Sequence, residues 1–137
     1  MTVEMIIKDL PALFAALFTA ILFIQSGLDK VFDWKGNLEF LTAHFSKTFV
    51  ARTVPLMFAT ITVLEVATGA VAAGGFVKCL LTGDTTFIFA SSVLGAGTLT
   101  ALFFGQRIAK DYPGAAVLVP YFILMLIAMY LTSPFPR

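Results

Sequence analysis

The stretch VPLMFATITVLEVATGAVAAGGFV, residues 54–77, decides the fold of this 137-residue chain. Glu65 is its only charged residue, and the other positions are apolar, small or threonine. An α-helix needs roughly 20 mainly apolar residues to cross the hydrocarbon core of a bilayer. The run is too long for a strand and lacks strict alternation, and backbone groups in lipid must bond within a helix or a closed barrel. Residues 54–77 therefore predict a transmembrane helix.

Three other stretches have the same character, at residues 10–28, 85–106 and 112–131. The chain is therefore predicted to cross a membrane four times, as a single all-α domain over residues 1–137. Asp84 is the expected N-cap of the third span, and Pro134 and Pro136 are expected to end the fourth. The predicted architecture is an integral membrane four-helix bundle.

Composition supports lipid as the solvent of this chain. Of its residues, 59% are hydrophobic and 12% are charged, whereas soluble domains carry about a quarter charged residues. So short a chain cannot enclose that much apolar surface in a core. Its net charge of +1 argues against nucleic-acid binding, which requires a basic surface.

The segment between the first two spans, residues 29–53, carries apolar residues at helical spacing. They are Leu38, Leu41, Phe45 and Phe49. This pattern predicts a short amphipathic helix over residues 37–49, at the headgroup level or folded over the mouth of the bundle. Phe32 and Trp34 suit an interfacial aromatic belt. A helix lying on the membrane surface is the simpler interpretation, and a lid over a site is the alternative.

Lys and Arg residues near the spans indicate orientation, because cytoplasmic loops are enriched in them. The first and third loops hold Lys30, Lys35, Lys47, Arg52, Arg107 and Lys110, and the other side holds Lys8, Lys78 and Arg137. This bias favours both termini outside.

Glu65 is the most informative residue of the chain. It lies about eleven residues, or roughly 16 Å of helix rise, from the start of its span. A carboxylate at that depth costs several kcal/mol unless it is protonated, paired or hydrated, so it is a functional candidate. Thr62, Thr68 and Gly69 share its helix face and offer hydroxyl partners and room. The alternative is a protonated Glu65 that only hydrogen-bonds neighbouring helices.

The end of the first span supplies further polar candidates. Gln25 and Ser26 occupy its last turns, and Lys30 follows them. Lys30 can snorkel to the headgroups, the more common arrangement, or turn inward toward a carboxylate. Glu65, Lys30 and Gln25 are the polar groups that we expect to face the bundle interior and border a bound cofactor.

Small residues recur at four-residue spacing within the spans. The pairs are Gly69 with Ala73, Ser91 with Gly95, and Gly97 with Ala101 and Gly105. Small side chains let helices approach closely. Packing within one chain is the simpler interpretation, and homo-oligomerisation through one of these faces is the alternative.

The chain holds no complete set of catalytic groups. Its single histidine, His44, and single cysteine, Cys79, argue against a self-contained haem, zinc or disulfide centre. A Ser-His-Asp set, a phosphate-binding loop and a dinucleotide fingerprint are also missing. We expect no metal site and no cofactor held by this chain alone.

Two segments resemble DoxX-like membrane proteins. The run FIQSGLDKVFD, residues 23–33, resembles the end of that family's first span, in which a lysine follows a glycine by three residues. The segment LEVATGA, residues 64–70, is similar to its Glu-x-x-x-Gly segment. With the four spans and the amphipathic loop, the likeness covers nearly the whole chain. The residues that match are Gly27, Lys30, Glu65 and Gly69.

The resemblance implies a bacterial or archaeal inner-membrane protein, in a family named for subunits of thiosulfate:quinone oxidoreductase. The leading expectation is an accessory or anchoring subunit of a quinone-linked redox or respiratory complex, with quinone at an interface and other redox subunits as partners. One alternative is a small proton-coupled transporter or channel that uses Glu65. Another is a quinone-reducing subunit fed by a partner enzyme.

Overall fold

A computed structural model describes residues 2–135 and shows helices connected by short turns. The helices are α1 (Val3–Lys8), α2 (Leu10–Phe32), α3 (Trp34–His44), α4 (Val54–Thr82), α5 (Thr86–Ile108) and α6 (Tyr112–Thr132), with a 3-10 turn at Ala51–Thr53 before α4. Four of these helices, α2, α4, α5 and α6, are long and apolar enough to cross a membrane. The predicted all-α four-helix bundle is confirmed, and its composition is that of a multi-pass membrane protein. Pro136 and Arg137 lie outside the described residues.

Two helices continue beyond the predicted spans. α2 continues past residue 28 to Phe32, and α4 continues past residue 77 to Thr82. The first charged residues after the predicted spans are Asp29 and Lys78. In the structure Lys30, next to Asp29, and Lys78 both have carboxylate partners. Gly83 then ends α4, because its φ of 78° is a left-handed conformation that glycine adopts without steric cost.

Asp84 caps α5, as the sequence predicted, from one position before the formal N-cap. Its carboxylate accepts a hydrogen bond from the Thr86 backbone N–H at 2.9 Å and lies 3.1 Å from Lys78 Nζ. The hydrogen bond from Thr86, together with Lys78, lowers the pKa of Asp84 to about 2. The turn therefore keeps its negative charge at the N-terminal end of α5, where the helix dipole favours it.

The four spans pack in chain order, α2 on α4, α4 on α5 and α5 on α6. Contact between α6 and α2 is slight. In its most hydrophobic stretch α6 has 17% of its residues buried, against 44% for α2. α6 is therefore the least buried of the four spans and leaves a wide apolar face for lipid or a protein partner.

Glycines set the distance between α2 and α4. A Cβ atom on Gly69 would lie 2.8 Å from the backbone nitrogen of Ile24, and one on Gly27 would lie 2.6 Å from Cγ2 of Val66. The helix backbones therefore touch at these two positions. Gly95 instead makes room for a side chain, because a Cβ there would lie 2.6 Å from Sδ of Met125. The simpler interpretation of these small residues, packing within the chain, holds for Gly69 and Gly95.

The antiparallel contact between α2 and α4 leaves a step at one end of the bundle. Because Ile24 lies beside Gly69, Phe32 at the end of α2 is level with residue 61 of α4. The first residue of α4, Val54, therefore stands roughly 10 Å beyond the end of α2 along the helix axis. The segment that contains α3 fills this step.

α3 occupies the predicted amphipathic segment with different limits. It begins three residues before residue 37 and ends five residues before residue 49. Ser46 and Thr48 follow it, and their hydroxyls donate to the carbonyls of Ala43 and Phe45 at 2.9 and 2.8 Å. Such local bonds compete with helix continuation, which explains the earlier end.

The apolar face predicted for this segment is only partly present. Leu38 and Leu41 are half-buried and Phe45 is buried, whereas Phe49 lies beyond the helix and is 83% exposed. The ring of Trp34 meets that of Phe58 on α4 edge-on, with 4.2 Å between centroids. α3 is therefore attached to the bundle as well as lying at one end of it.

We predict that Gly69→Ala lowers the free energy of unfolding by roughly 1–3 kcal/mol, because its Cβ forces α2 away from α4. Gly74→Ala, on the same helix, is the control. A Cβ there meets no atom within 4 Å, and alanine is the better helix former by up to about 1 kcal/mol. Unfolding titrations in lipid bicelles measure both variants. Equal stability of the two variants would contradict the close packing of α2 and α4.

Candidate functional site

An ion pair between Lys30 and Glu65 joins α2 to α4. Lys30 Nζ lies 3.0 Å from Glu65 Oε1 and donates a hydrogen bond to Oε2 at 3.3 Å. It also donates to the Ser26 hydroxyl oxygen at 3.0 Å. The Glu65 side chain is 1% exposed and that of Lys30 is 20% exposed. Of the two arrangements considered for Lys30, the structure shows the inward one.

Helical periodicity and the glycine contacts explain how the pair forms. Phe23, Gly27 and Lys30 follow one another at spacings of four and three, so Lys30 shares the inner face of α2. Gly27 and Gly69 bring the two backbones together. At that separation the lysine side chain spans the interface and reaches Glu65.

The pair lies well inside the bundle, although Lys30 is close to the end of α2. Ile24 is level with Gly69, and the neighbouring Thr68 is the middle residue of α4. Glu65 is therefore about one helical turn, or roughly 4–5 Å, from the middle of the bundle. Two unpaired charges at that depth would each carry a large desolvation cost, so each requires the other.

The threonines expected to serve Glu65 bond elsewhere. Thr62 donates to the carbonyl of Phe58 at 2.8 Å, and Thr68 donates to that of Leu64 at 2.7 Å. A threonine hydroxyl on a helix can donate to the carbonyl four residues earlier in the same helix. These two threonines therefore do not bond to Glu65, contrary to the sequence prediction. Among residues 2–135, none donates a hydrogen bond to Glu65 Oε1. Its contact with Lys30 is close enough for charge attraction but not aligned as a hydrogen bond.

Gln25 does not face the bundle interior, contrary to the sequence prediction. It is exposed on the outer surface of α2, beside Ile21 and Leu28. The buried residues Phe23 and Gly27 lie two positions on either side of it, and two residues of an α-helix subtend about 200°. An inward Phe23 and Gly27 therefore require an outward Gln25.

The structure brings together the four residues that resemble DoxX-like proteins. Gly27 and Gly69 are at the close contact between α2 and α4, and Lys30 and Glu65 form the ion pair beside it. No family model, curated protein or solved structure matches the chain. Membership of that family stays a prediction, and the geometry of the α2–α4 contact is independent of it.

A second polar cluster, which the sequence did not reveal, fastens α3 to the turn between α5 and α6. Nε2 of His44 lies 3.2 Å from Oε1 of Gln106 and 3.7 Å from Oδ2 of Asp111. Asp111 also accepts a hydrogen bond from the Gly114 N–H at 3.0 Å and so caps α6. His44 and Gln106 are 62 residues apart, and neither has a local sequence signal that indicates the other.

We predict that Lys30→Met lowers the free energy of unfolding by about 3 kcal/mol, because it leaves the buried Glu65 without a partner. Adding Glu65→Gln should restore much of that loss, since the amide carries no charge. Lys78→Met is the control and should have a much smaller effect, because the Lys78–Asp84 pair is exposed to solvent. Unfolding titrations in bicelles compare the variants. If Lys30→Met and Lys78→Met had equal effects, the ion pair would not stabilise the bundle.

Proposed function

We propose that this chain is an accessory or anchoring subunit of a quinone-linked redox or respiratory complex in a bacterial or archaeal cytoplasmic membrane. The observation that carries the proposal is the pairing of Glu65 with Lys30 at 3.0 Å. The ionisable groups at the centre of the membrane hold two helices of the chain together. A bundle whose buried charges stabilise its own helix packing suits the role of a supporting subunit.

The outer surface of α6 suits protein docking within a membrane. Its exposed residues include Val117, Val119, Ile123, Leu126 and Ile127, each between 44% and 59% exposed. α6 packs against α5 on one side and has only slight contact with α2. Apolar helix faces associate in lipid through van der Waals packing, for which such a surface is suitable.

An apolar cleft between α5 and α6 supports a position next to quinone. The cleft measures about 330 Å³ and is lined by Leu99, Thr100, Phe103, Leu118, Val119 and Phe122. Two phenyl rings in an apolar wall suit a flat aromatic head group. The one polar residue of the lining, Thr100, donates its hydroxyl proton to the Ala96 carbonyl at 2.8 Å. Donors to the quinone carbonyls would therefore come from a partner subunit.

The pattern shared with DoxX-like proteins agrees with this proposal. Gly27, Lys30, Glu65 and Gly69 account for the resemblance, and in this chain all four maintain one helix contact. Such a role is structural and requires no chemistry of its own. A partner enzyme would supply the electrons.

Proton-coupled transport is the second candidate, and the surroundings of Glu65 favour it. Oε1 of Glu65 accepts no hydrogen bond from residues 2–135, and its partner Lys30 is partly exposed. Purified protein in liposomes distinguishes the two functions. Substrate-dependent proton flux that is lost in Glu65→Gln, with the bundle still folded, would favour transport and contradict the accessory role.

We predict that purification from native membranes in mild detergent recovers this chain together with redox subunits and bound quinone. Mass spectrometry identifies the proteins, and absorbance spectra identify the quinone. A variant with Ile123→Ala and Leu126→Ala on α6 should lose the redox subunits, because it removes apolar contact area. The control, with Leu56→Ala and Val63→Ala on α4, should retain them. Recovery of the chain alone, while a known respiratory complex from the same membranes stays intact, would contradict the proposal.

A further inference from the structure

The outer face of α2 carries a polar side chain near the level of the middle of α4. Gln25 is exposed and follows Ile24, which is level with Gly69 of α4. Gly69 is next to Thr68, the middle residue of the longest span. The amide of Gln25 therefore faces outward within a helix that is long and apolar enough to cross the hydrocarbon core of a bilayer.

The Gln25 amide makes no hydrogen bond within residues 2–135. Two other outward polar side chains in the spans are satisfied by their own helices. Thr60 donates to the Leu56 carbonyl, and Thr100 donates to the Ala96 carbonyl. An amide that faces lipid without a partner costs several kcal/mol. The Gln25 position therefore requires a partner from outside this chain.

Gln25 is the centre of a line of exposed side chains on α2. In order they are Phe14, Phe18, Ile21, Gln25, Leu28 and Phe32. Their spacing alternates between four and three residues, as in the contact line of two helices in a left-handed coil. The five apolar members are between 41% and 82% exposed. A second helix can therefore pack along the whole line and cover the amide.

We propose that two copies of this chain associate through this face of α2, with the Gln25 amides hydrogen-bonded to each other. Copies of one membrane protein cross the bilayer in the same direction, so a two-fold axis along the membrane normal makes their α2 helices parallel. Each Gln25 then meets the partner's Gln25 at the same depth. A primary amide has both donor and acceptor atoms, so it is complementary to its own copy.

Charge is consistent with a second copy as the occupant. Asp29, one turn after Gln25, is exposed beside the contact line and not on it. In a parallel pair the corresponding flanking positions lie on opposite sides of the interface. The two Asp29 carboxylates therefore do not face each other. A single polar residue within an apolar contact line also defines the register of the two helices, because any shift leaves both amides unpaired.

Dimerisation of the purified full chain in liposomes, measured by energy transfer between labelled copies over a range of protein-to-lipid ratios, tests the inference. We expect Gln25→Leu to weaken dimerisation roughly tenfold, as expected for loss of an interhelical hydrogen bond in lipid. Thr100→Val is the control, because its hydroxyl bonds within α5, and it should leave dimerisation unchanged. Folding of Gln25→Leu is not at risk, since the side chain lies outside the core.

Cysteine cross-linking locates the interface independently of affinity. In a background with Cys79→Ala, Ile21→Cys and Leu28→Cys should each give disulfide-linked dimers on mild oxidation. Val63→Cys, on the outer face of α4 and 67% exposed, should not. A monomer at every protein-to-lipid ratio, equal cross-linking at position 63, or full-strength dimers of Gln25→Leu would overturn the inference. Cross-links from position 21 in native membranes only to a different protein would also overturn it.

Discussion

Charged side chains in hydrocarbon are stable only when they are paired, and the pairing of Lys30 with Glu65 organises this bundle. The pair requires α2 and α4 to lie close together, with Lys30 and Glu65 at neighbouring levels. Gly27 and Gly69 make that approach possible, because any side chain there would push the helices apart. The ion pair stabilises the contact between the two helices, and the glycines leave room for it. Neither is effective alone.

The register of α2 against α4 determines the architecture at one end of the molecule. α2 ends well before the level at which α4 begins, and the segment with α3 occupies the resulting step. Trp34 attaches the start of α3 to Phe58, and His44 attaches its end to Gln106. α3 is therefore held against the bundle at both of its ends. A role of this segment as a lid over a site stays a prediction.

Several buried hydroxyls on the inner surface are satisfied within their own helices, whereas the Gln25 amide on the outer surface is not. The buried hydroxyls of Thr62, Thr68 and Thr98 bond to carbonyls of their own helices. Gln25 has no such bond and faces outward. Two outer surfaces of the bundle suit assembly. The face of α6 suits a larger partner, and the face of α2 suits a second copy. Assembly within the membrane is the property that unites the two proposals.

The sequence by itself determined the class, the number of spans and the depth of Glu65, because the length and hydropathy of a segment decide whether it can cross a bilayer. It also identified Lys30 as a candidate partner, with its direction open. The helices α2 and α4 continue past residues 28 and 77, where the predicted spans end. Hydropathy does not register that Lys30 and Lys78 have partners elsewhere in the chain. Only the tertiary structure decided that Lys30 turns inward and that Gln25 turns outward. Whether a polar side chain points inward or outward depends on which other helix packs against each face of its own helix. That helix belongs to another segment of the chain.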